Sequence, residues 1–199
     1  RLVAYSSVSH LGFVVLGTFA FTQQSLTGGV LQMVNHGLST GALFLLVGMV
    51  YERTHTRDLA RMGGLWSVTP WLVGAFLFVA LSSLGLPGLN NFVGEFLVVL
   101  GTVGRSPWVG AVAASGVVLA AIYLLWAFQR MATGPVPAEH RGHPDLSLRE
   151  ALVLAPVLAA ILAIGVYPKV MLDRIEPATA RVLSGVGASE VVAPSPVPL

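Results

Sequence analysis

The sequence predicts an all-α polytopic membrane protein with five transmembrane helices, the third of them broken. Three observations predict it. Of 199 residues, 55% are hydrophobic and only 10% are charged, against about 25% charged in an average soluble chain. Apolar stretches of about 20 residues recur, the length that crosses a ~30 Å hydrocarbon core as helix. These stretches lack the alternation and the roughly ten-residue length of membrane barrel strands. The mean hydropathy is +0.79. Nine acidic and eleven basic side chains are too few to cover a soluble globule. The composition therefore excludes an ordinary soluble enzyme, a disordered chain and a nucleic-acid binder with a basic face.

The expected helices cover about residues 2–21, 28–51, 70–103, 108–131 and 148–167. The first is polar in its first half (Tyr5, Ser6, Ser7, Ser9, His10) and apolar in its second. The third is too long for one straight crossing, since it would run well over about 45 Å. Its middle reads Ser82-Ser83-Leu84-Gly85-Leu86-Pro87-Gly88-Leu89-Asn90-Asn91. Pro87 lacks a backbone donor and clashes with the preceding turn, and Gly85 and Gly88 loosen the same place. Two half-helices joined by an unwound segment are expected. In lipid such a break is buried in protein or lines a polar cavity, and half-helices near the midplane build ion sites in many transporters. A plain proline kink is the alternative.

Residues 1–168 read as one membrane domain and 169–199 as a tail. The connections are short and polar. The longest, 134–146, carries His140, Arg141, His143 and Asp145. The tail begins as an amphipathic interfacial helix and ends in a proline-rich stretch, 191–199, expected to be disordered. Beginning at Arg1 with no visible signal peptide, the chain reads as the C-terminal part of a longer protein. Five crossings put the two ends on opposite sides. One side holds Arg1, Arg53, Arg57, Arg61, Arg130, Arg141 and Arg149, and the other Arg105, Lys169, Arg174 and Arg181. The richer side is expected to be cytoplasmic, with the chain start inside and the C-terminus on the far side.

Of the nine acids, Glu95 alone lies well inside an apolar stretch, Phe92-Val-Gly-Glu-Phe-Leu-Val-Val-Leu100. An ionised carboxylate in hydrocarbon costs several kcal/mol, so such an acid faces a polar interior and usually has a function. Low dielectric favours the neutral form of a carboxylic acid, so a buried one can bind and release a proton. The plainer reading is a glutamate at the headgroup boundary, a few residues from Arg105. His10 follows Ser6 by one turn. His36 lies with Gln32, Asn35 and Ser39 at i, i+3, i+4 and i+7, a polar face expected to look into the bundle. Histidine titrates near about 6.5 and has two ring nitrogens, which suits a proton relay. Two structural histidines bonded across helices are the alternative. Gly37 and Gly41 form a small-xxx-small pair, expected to let a neighbouring helix approach.

There is no cysteine, which excludes disulfides and thiolate metal sites. No phosphate-binding loop, dinucleotide motif, haem site or nucleophile elbow occurs, and no histidine pair has ligand spacing on one helix. No cofactor and no metal are expected in this chain.

Four stretches carry a resemblance: residues 2–13 around His10, Asn35-His36-Gly-Leu-Ser-Thr-Gly-Ala-Leu-Phe-Leu, Tyr51-Glu-Arg-Thr-His-Thr-Arg57, and Leu84-Gly-Leu-Pro-Gly88 through Asn91-Phe-Val-Gly-Glu-Phe96. Over about residues 1–168 the chain resembles the antiporter-like membrane subunits M (chain 4) of respiratory complex I, the proton-pumping NADH:quinone oxidoreductase. The 51–57 stretch is the most specific, separating this resemblance from the sister subunits and from similar cation/proton antiporters.

The resemblance implies the last helices of a larger antiporter-like protein: most of one inverted repeat plus the final helix. It implies that Glu95 carries the outward proton path and that His10 and His36 line its polar axis, supported by Ser6, Gln32, Asn35 and Ser39. It implies no NADH, flavin or quinone in this chain, with electron transfer in other subunits. Other membrane subunits, the sister antiporter-like ones included, and the lipid bilayer are the implied partners, with no nucleic acid. The implied location is a bacterial plasma membrane or mitochondrial inner membrane. A subunit of a multisubunit cation/proton antiporter remains the alternative.

Overall fold

Helix α1 (Leu2–Phe19) leads into α2 (Gln23–Thr54), the longest and most central helix. A computed structural model describes residues 2–188. Arg1 and residues 189–199 lie outside the described residues, and with them the expectations for the chain start and for the proline-rich stretch 191–199. A short connection follows α2, with a 3₁₀ turn at Leu59–Arg61 and the single-turn α3 (Leu65–Val68). Then come α4 (Pro70–Ser83), α5 (Asn90–Arg105), α6 (Pro107–Ala132), α7 (Leu148–Val166) and α8 (Lys169–Gly185). No strand occurs among the described residues. α1, α2, α6 and α7 are each long and apolar enough to cross a membrane, and α4 with α5 makes the broken crossing.

Local chemistry sets the boundaries. α2 begins five residues before the expected 28. Thr22 accepts from Ser25 N, and Ser25 Oγ accepts from Thr22 N, a reciprocal cap that satisfies two orphan donors. Gln23, Gln24 and Ser25 look like a loop by polarity, yet they are helical. α2 ends where His55 turns left-handed at φ 49° and returns its N–H to Tyr51 O. Pro70 and Pro107 open α4 and α6, where a missing N–H costs nothing. Between α4 and α5, Gly85 and Gly88 take φ of 72° and 93°, conformations that favour glycine.

α2 touches α1, α4, α5, α7 and α8. Its buried Leu43, Leu46 and Val50 pack with Leu72, Val73 and Val79 of α4 and with Leu154 and Ile161 of α7. Gly37 and Gly41 do not make the expected close approach: a Cβ at either would meet nothing within 4 Å among the described residues. The close approach lies at Gly28, where a Cβ would stand 2.7 Å from Leu97 Cβ and 2.8 Å from Gly94 O. At about 100° per residue, Gly37 and Gly41 fall on the side of α2 opposite Gln32 and Ser39.

At one end of the bundle Arg53 ties α2 to the 134–147 connection. Its Nη1 and Nη2 donate to the two Glu150 carboxylate oxygens at 2.8 Å each. It also donates to the carbonyls of Pro144 at 2.8 Å and Asp145 at 3.0 Å. The Asp145 carboxylate in turn accepts from Trp71 N and Leu72 N, capping α4. Arg53→Ala leaves a half-buried carboxylate without its cation, at a cost of about 1–3 kcal/mol. Arg53→Lys restores little, because an ammonium cannot make the two-pronged contact. The expected readout is faster protease nicking of the 134–147 connection in both variants. Nicking at the wild-type rate in Arg53→Ala would remove the clamp from this role.

At the opposite end α8, amphipathic as its sequence suggested, lies against the start of α2. Gln23 Nε2 donates to Thr179 Oγ1 at 2.7 Å and to Glu176 O at 3.0 Å, and the hydroxyls of Thr27 and Thr179 are 3.0 Å apart.

Candidate functional site: the buried acid beside the broken helix

α5 presents Asn91, Gly94, Glu95, Val98, Gly101 and Thr102 as one buried face, spaced three and four residues apart, as a single helix side requires. Gly94 permits the contact with α2, since any Cβ there would strike Gln32. The approach brings Gln32 Nε2 to 3.1 Å from Glu95 Oε1.

From α1, His10 Nδ1 reaches the same oxygen at 2.8 Å. Glu95 is 4% exposed and His10 3%. Glu95 therefore faces the interior of the helix bundle rather than its outer surface. The pair has two forms, imidazolium with carboxylate or neutral imidazole with carboxylic acid, related by moving one proton across 2.8 Å. Both keep the pair neutral overall, which makes it tolerable in low dielectric. Gaining or losing one proton changes its net charge. Such a pair can therefore store a proton and hand it on.

The break touches the acid through Gly85, where a Cβ would stand 3.0 Å from Glu95 Oε2. Pro87 and Gly88 are exposed, farther along the turn. Glu95 borders a half-open, mostly apolar groove of about 300 Å³, lined by Gly85, Phe92, Phe96, Val99 and Val117 among others.

The other expected residues separate into two groups. Asn35 and Ser39 are buried but brace the break rather than meet Glu95. Asn35 Nδ2 donates to Asn90 O at 2.7 Å, and Asn90 Nδ2 returns to Asn35 O at 3.1 Å. Ser39 and Ser82 both reach Asn90 Oδ1, at 3.2 and 2.6 Å. His36 departs from the expectation that it looks into the bundle. It is half-buried, and its Nδ1 faces Thr40 Oγ1 of its own helix at 3.1 Å. Its ring centre stands 5.6 Å from that of His10. On α2, His36 lies about 40° from Gln32 on the side away from Asn35 and Ser39, at the rim of the polar stripe. Ser6 is buried and donates to Val3 O at 2.7 Å.

Asn90, Tyr123 and Gly165 belong to this region and were not singled out by sequence. Asn90 had a signal, a polar pair directly after a break in apolar sequence. Tyr123 and Gly165 had none.

A broken membrane helix with a buried acid, braced by a long polar-striped helix, is the architecture of the antiporter-like membrane subunits. The chain belongs to the family described as "NADH:quinone oxidoreductase/Mrp antiporter, TM", which matches residues 1–122. Among similar proteins, NADH-quinone oxidoreductase subunit M of Mycobacterium tuberculosis is 44% identical over 100% of this chain and 36% of its own length. The protein of that name from Escherichia coli (strain K12) is 41% identical over 87% of this chain and 34% of its own. A chain of "Respiratory complex I from Thermus thermophilus with bound NADH" superposes with a TM-score of 0.84 at 37% identity, covering 92% of this chain and 39% of that one. The chain thus spans about a third of the length of the curated relatives it matches.

Proposed function

We propose that this chain forms part of the proton path of a proton-translocating NADH:quinone oxidoreductase, with Glu95 as the group that loads and releases the proton. One observation carries the reading: a buried carboxylate 2.8 Å from a buried imidazole, beside the break of a membrane helix. Names borne by relatives at 41–44% identity support the complex. They favour it over the cation/proton antiporter alternative, although the family description covers both. In this reading the chain holds no cofactor, electron transfer occurs in other subunits, and sister antiporter-like subunits are its neighbours. The deciding experiment is the proton-to-electron ratio of the assembled complex carrying Glu95→Gln.

His10 is the proton partner of Glu95, and His36 acts from the rim through His10. Asn35, Ser39 and Asn90 hold the break open. The orientation belongs to the same proposal. Arg61 bridges to Glu139 across the connections at one end of the bundle, together with Arg53. Arg181 lies on α8 at the other end. With the arginine-rich end cytoplasmic, a reporter fused after Arg61 is expected to read cytoplasm and one after Arg181 the far side. The reverse pattern at both positions would overturn the orientation.

A further inference from the structure

Gln32 of α2 is fully buried, yet its amide is only half satisfied. Nε2 donates to Glu95 Oε1 at 3.1 Å, whereas Oε1 of Gln32 has no hydrogen-bond partner among the described residues. A buried carbonyl left unpaired is costly, and a methionine side chain would fill nearly the same space without that cost. Backbone contacts hold the amide where it is. One turn earlier on α2, Gly28 lies against Gly94 O and Leu97 of α5, and a Cβ at Gly94 would stand 3.2 Å from Gln32 Cα. The two helices meet at Gln32 itself, which fixes how far Nε2 reaches.

Glu95 Oε1 thus receives two nitrogens from two helices, His10 Nδ1 at 2.8 Å and Gln32 Nε2 at 3.1 Å. The His10–Glu95 pair has two forms that differ in the place of one proton. In the imidazolium–carboxylate form both nitrogens donate to a charged oxygen, and charge-assisted bonds are about twice as strong as neutral ones. In the neutral form Oε1 carries the proton and donates it toward Nδ1, and Gln32 keeps only the weaker bond to a carboxylic hydroxyl. An amide turned the other way would set its carbonyl against Oε1, which suits only a protonated acid.

We propose that Gln32 is a positioning residue that sets where the shared proton rests: its amide N–H favours the ionised Glu95 and leaves the proton on His10. The other titratable groups near the pair are His36 of α2, behind His10, and Tyr123 of α6, in the field of Glu95. The α4 half-helix carries none, and those of α7 lie in its first turn. Gln32 differs from all of these in holding a donor of fixed charge on the reacting oxygen, so its influence does not change with pH.

The pumping arm of the test rests on the proton-path reading above, and the labelling arm does not. Both use the assembled complex in membranes. A lipophilic carbodiimide modifies protonated carboxyl groups, and mass spectrometry of the Glu95 peptide gives its rate across a pH series. Gln32→Met removes the donor and keeps the bulk. It is expected to speed Glu95 labelling about tenfold at neutral and alkaline pH, the scale of one hydrogen bond to a charged group. At acid pH, with Glu95 protonated in both proteins, the rate is expected to be unchanged. Gln32→Asn keeps an amide one carbon short of Glu95 and is expected to act in the same direction. The proton-to-electron ratio in Gln32→Met is expected to fall while the complex still assembles. Labelling at the wild-type rate in both variants overturns the proposal, whatever happens to pumping. So does equal acceleration at every pH, which marks easier access rather than a moved proton. Acceleration confined to neutral and alkaline pH, with an unchanged proton-to-electron ratio, upholds the role of Gln32 and counts against the proton path through Glu95.

Discussion

Glu95→Gln is expected to remove most proton translocation, at least about tenfold, from a complex that still forms. Glutamine keeps the shape of the side chain, and its carbonyl can still face His10 and Gln32. What it loses is titration. In the proposed role the paired carboxylate and imidazole pass a proton between them, which an amide cannot do. Well-placed proton-transfer groups contribute about 10²–10⁴-fold in general, and a bypass through water along the break would soften that loss. Acidification per NADH oxidised, measured in vesicles carrying the assembled complex, reads the effect directly. Where pumping and electron transfer are tightly coupled, NADH oxidation slows as well. Glu95→Asp is expected to keep part of the activity, because the shorter carboxylate still reaches water but stands farther from His10. A wild-type proton-to-electron ratio in Glu95→Gln would end the assignment.

The second large effect comes from Gly165, in the apolar C-terminal part of α7. Late in α7, it lies directly against the unwound segment. A Cβ there would stand 2.5 Å from Leu89 C and closer still to Gly88 O and Leu89 Cα. These are backbone atoms of the break, held by the Asn35–Asn90 exchange a residue away, so they cannot swing aside as a side chain would. Overpacking typically costs about 1–3 kcal/mol, and backbone contact puts Gly165→Ala at the upper end. Gly165→Val adds two more carbons to the same collision. The expected result is a several-fold drop in assembled complex for alanine and near loss for valine. Gly104→Ala is the control, since a Cβ there meets nothing within 4 Å. Wild-type amounts of complex with Gly165→Val would show that α7 does not press on the break in the assembled protein.

The contrast between these two residues shows how far the sequence could be read. Glu95 stands out because lipid makes a lone acid expensive, and the break stands out because proline and glycine interrupt an apolar run. Both are local signals. The bond between His10 and Glu95 spans 85 residues of chain, so the two could be named separately but not joined. His36 illustrates a finer limit. Counting by threes and fours groups it with Gln32, Asn35 and Ser39, while the angular position about the helix axis, about 40° off Gln32, sends its ring to the rim. The start of α2 was missed for a different reason. In a membrane protein, polarity marks either a loop or a buried hydrogen-bonding contact, and Gln23 is the second, bonded to Thr179 of α8. Gly165 is one glycine among 22, and only the neighbouring backbone distinguishes it.

The position of the acid along its half-helix has an electrical consequence. Ten residues separate Glu95 from Arg105 at the end of α5, a rise of about 15 Å, or roughly half of a ~30 Å core. A charge crossing the whole membrane potential gains or loses about 2.3 kcal/mol per 100 mV. A proton arriving at Glu95 from either surface crosses roughly half of that drop, about 1.2 kcal/mol per 100 mV. In the proposed role, loading the acid is then a function of voltage. With Arg105 at the membrane surface, an energised membrane acts on the proposed proton site directly, through the field at mid-depth.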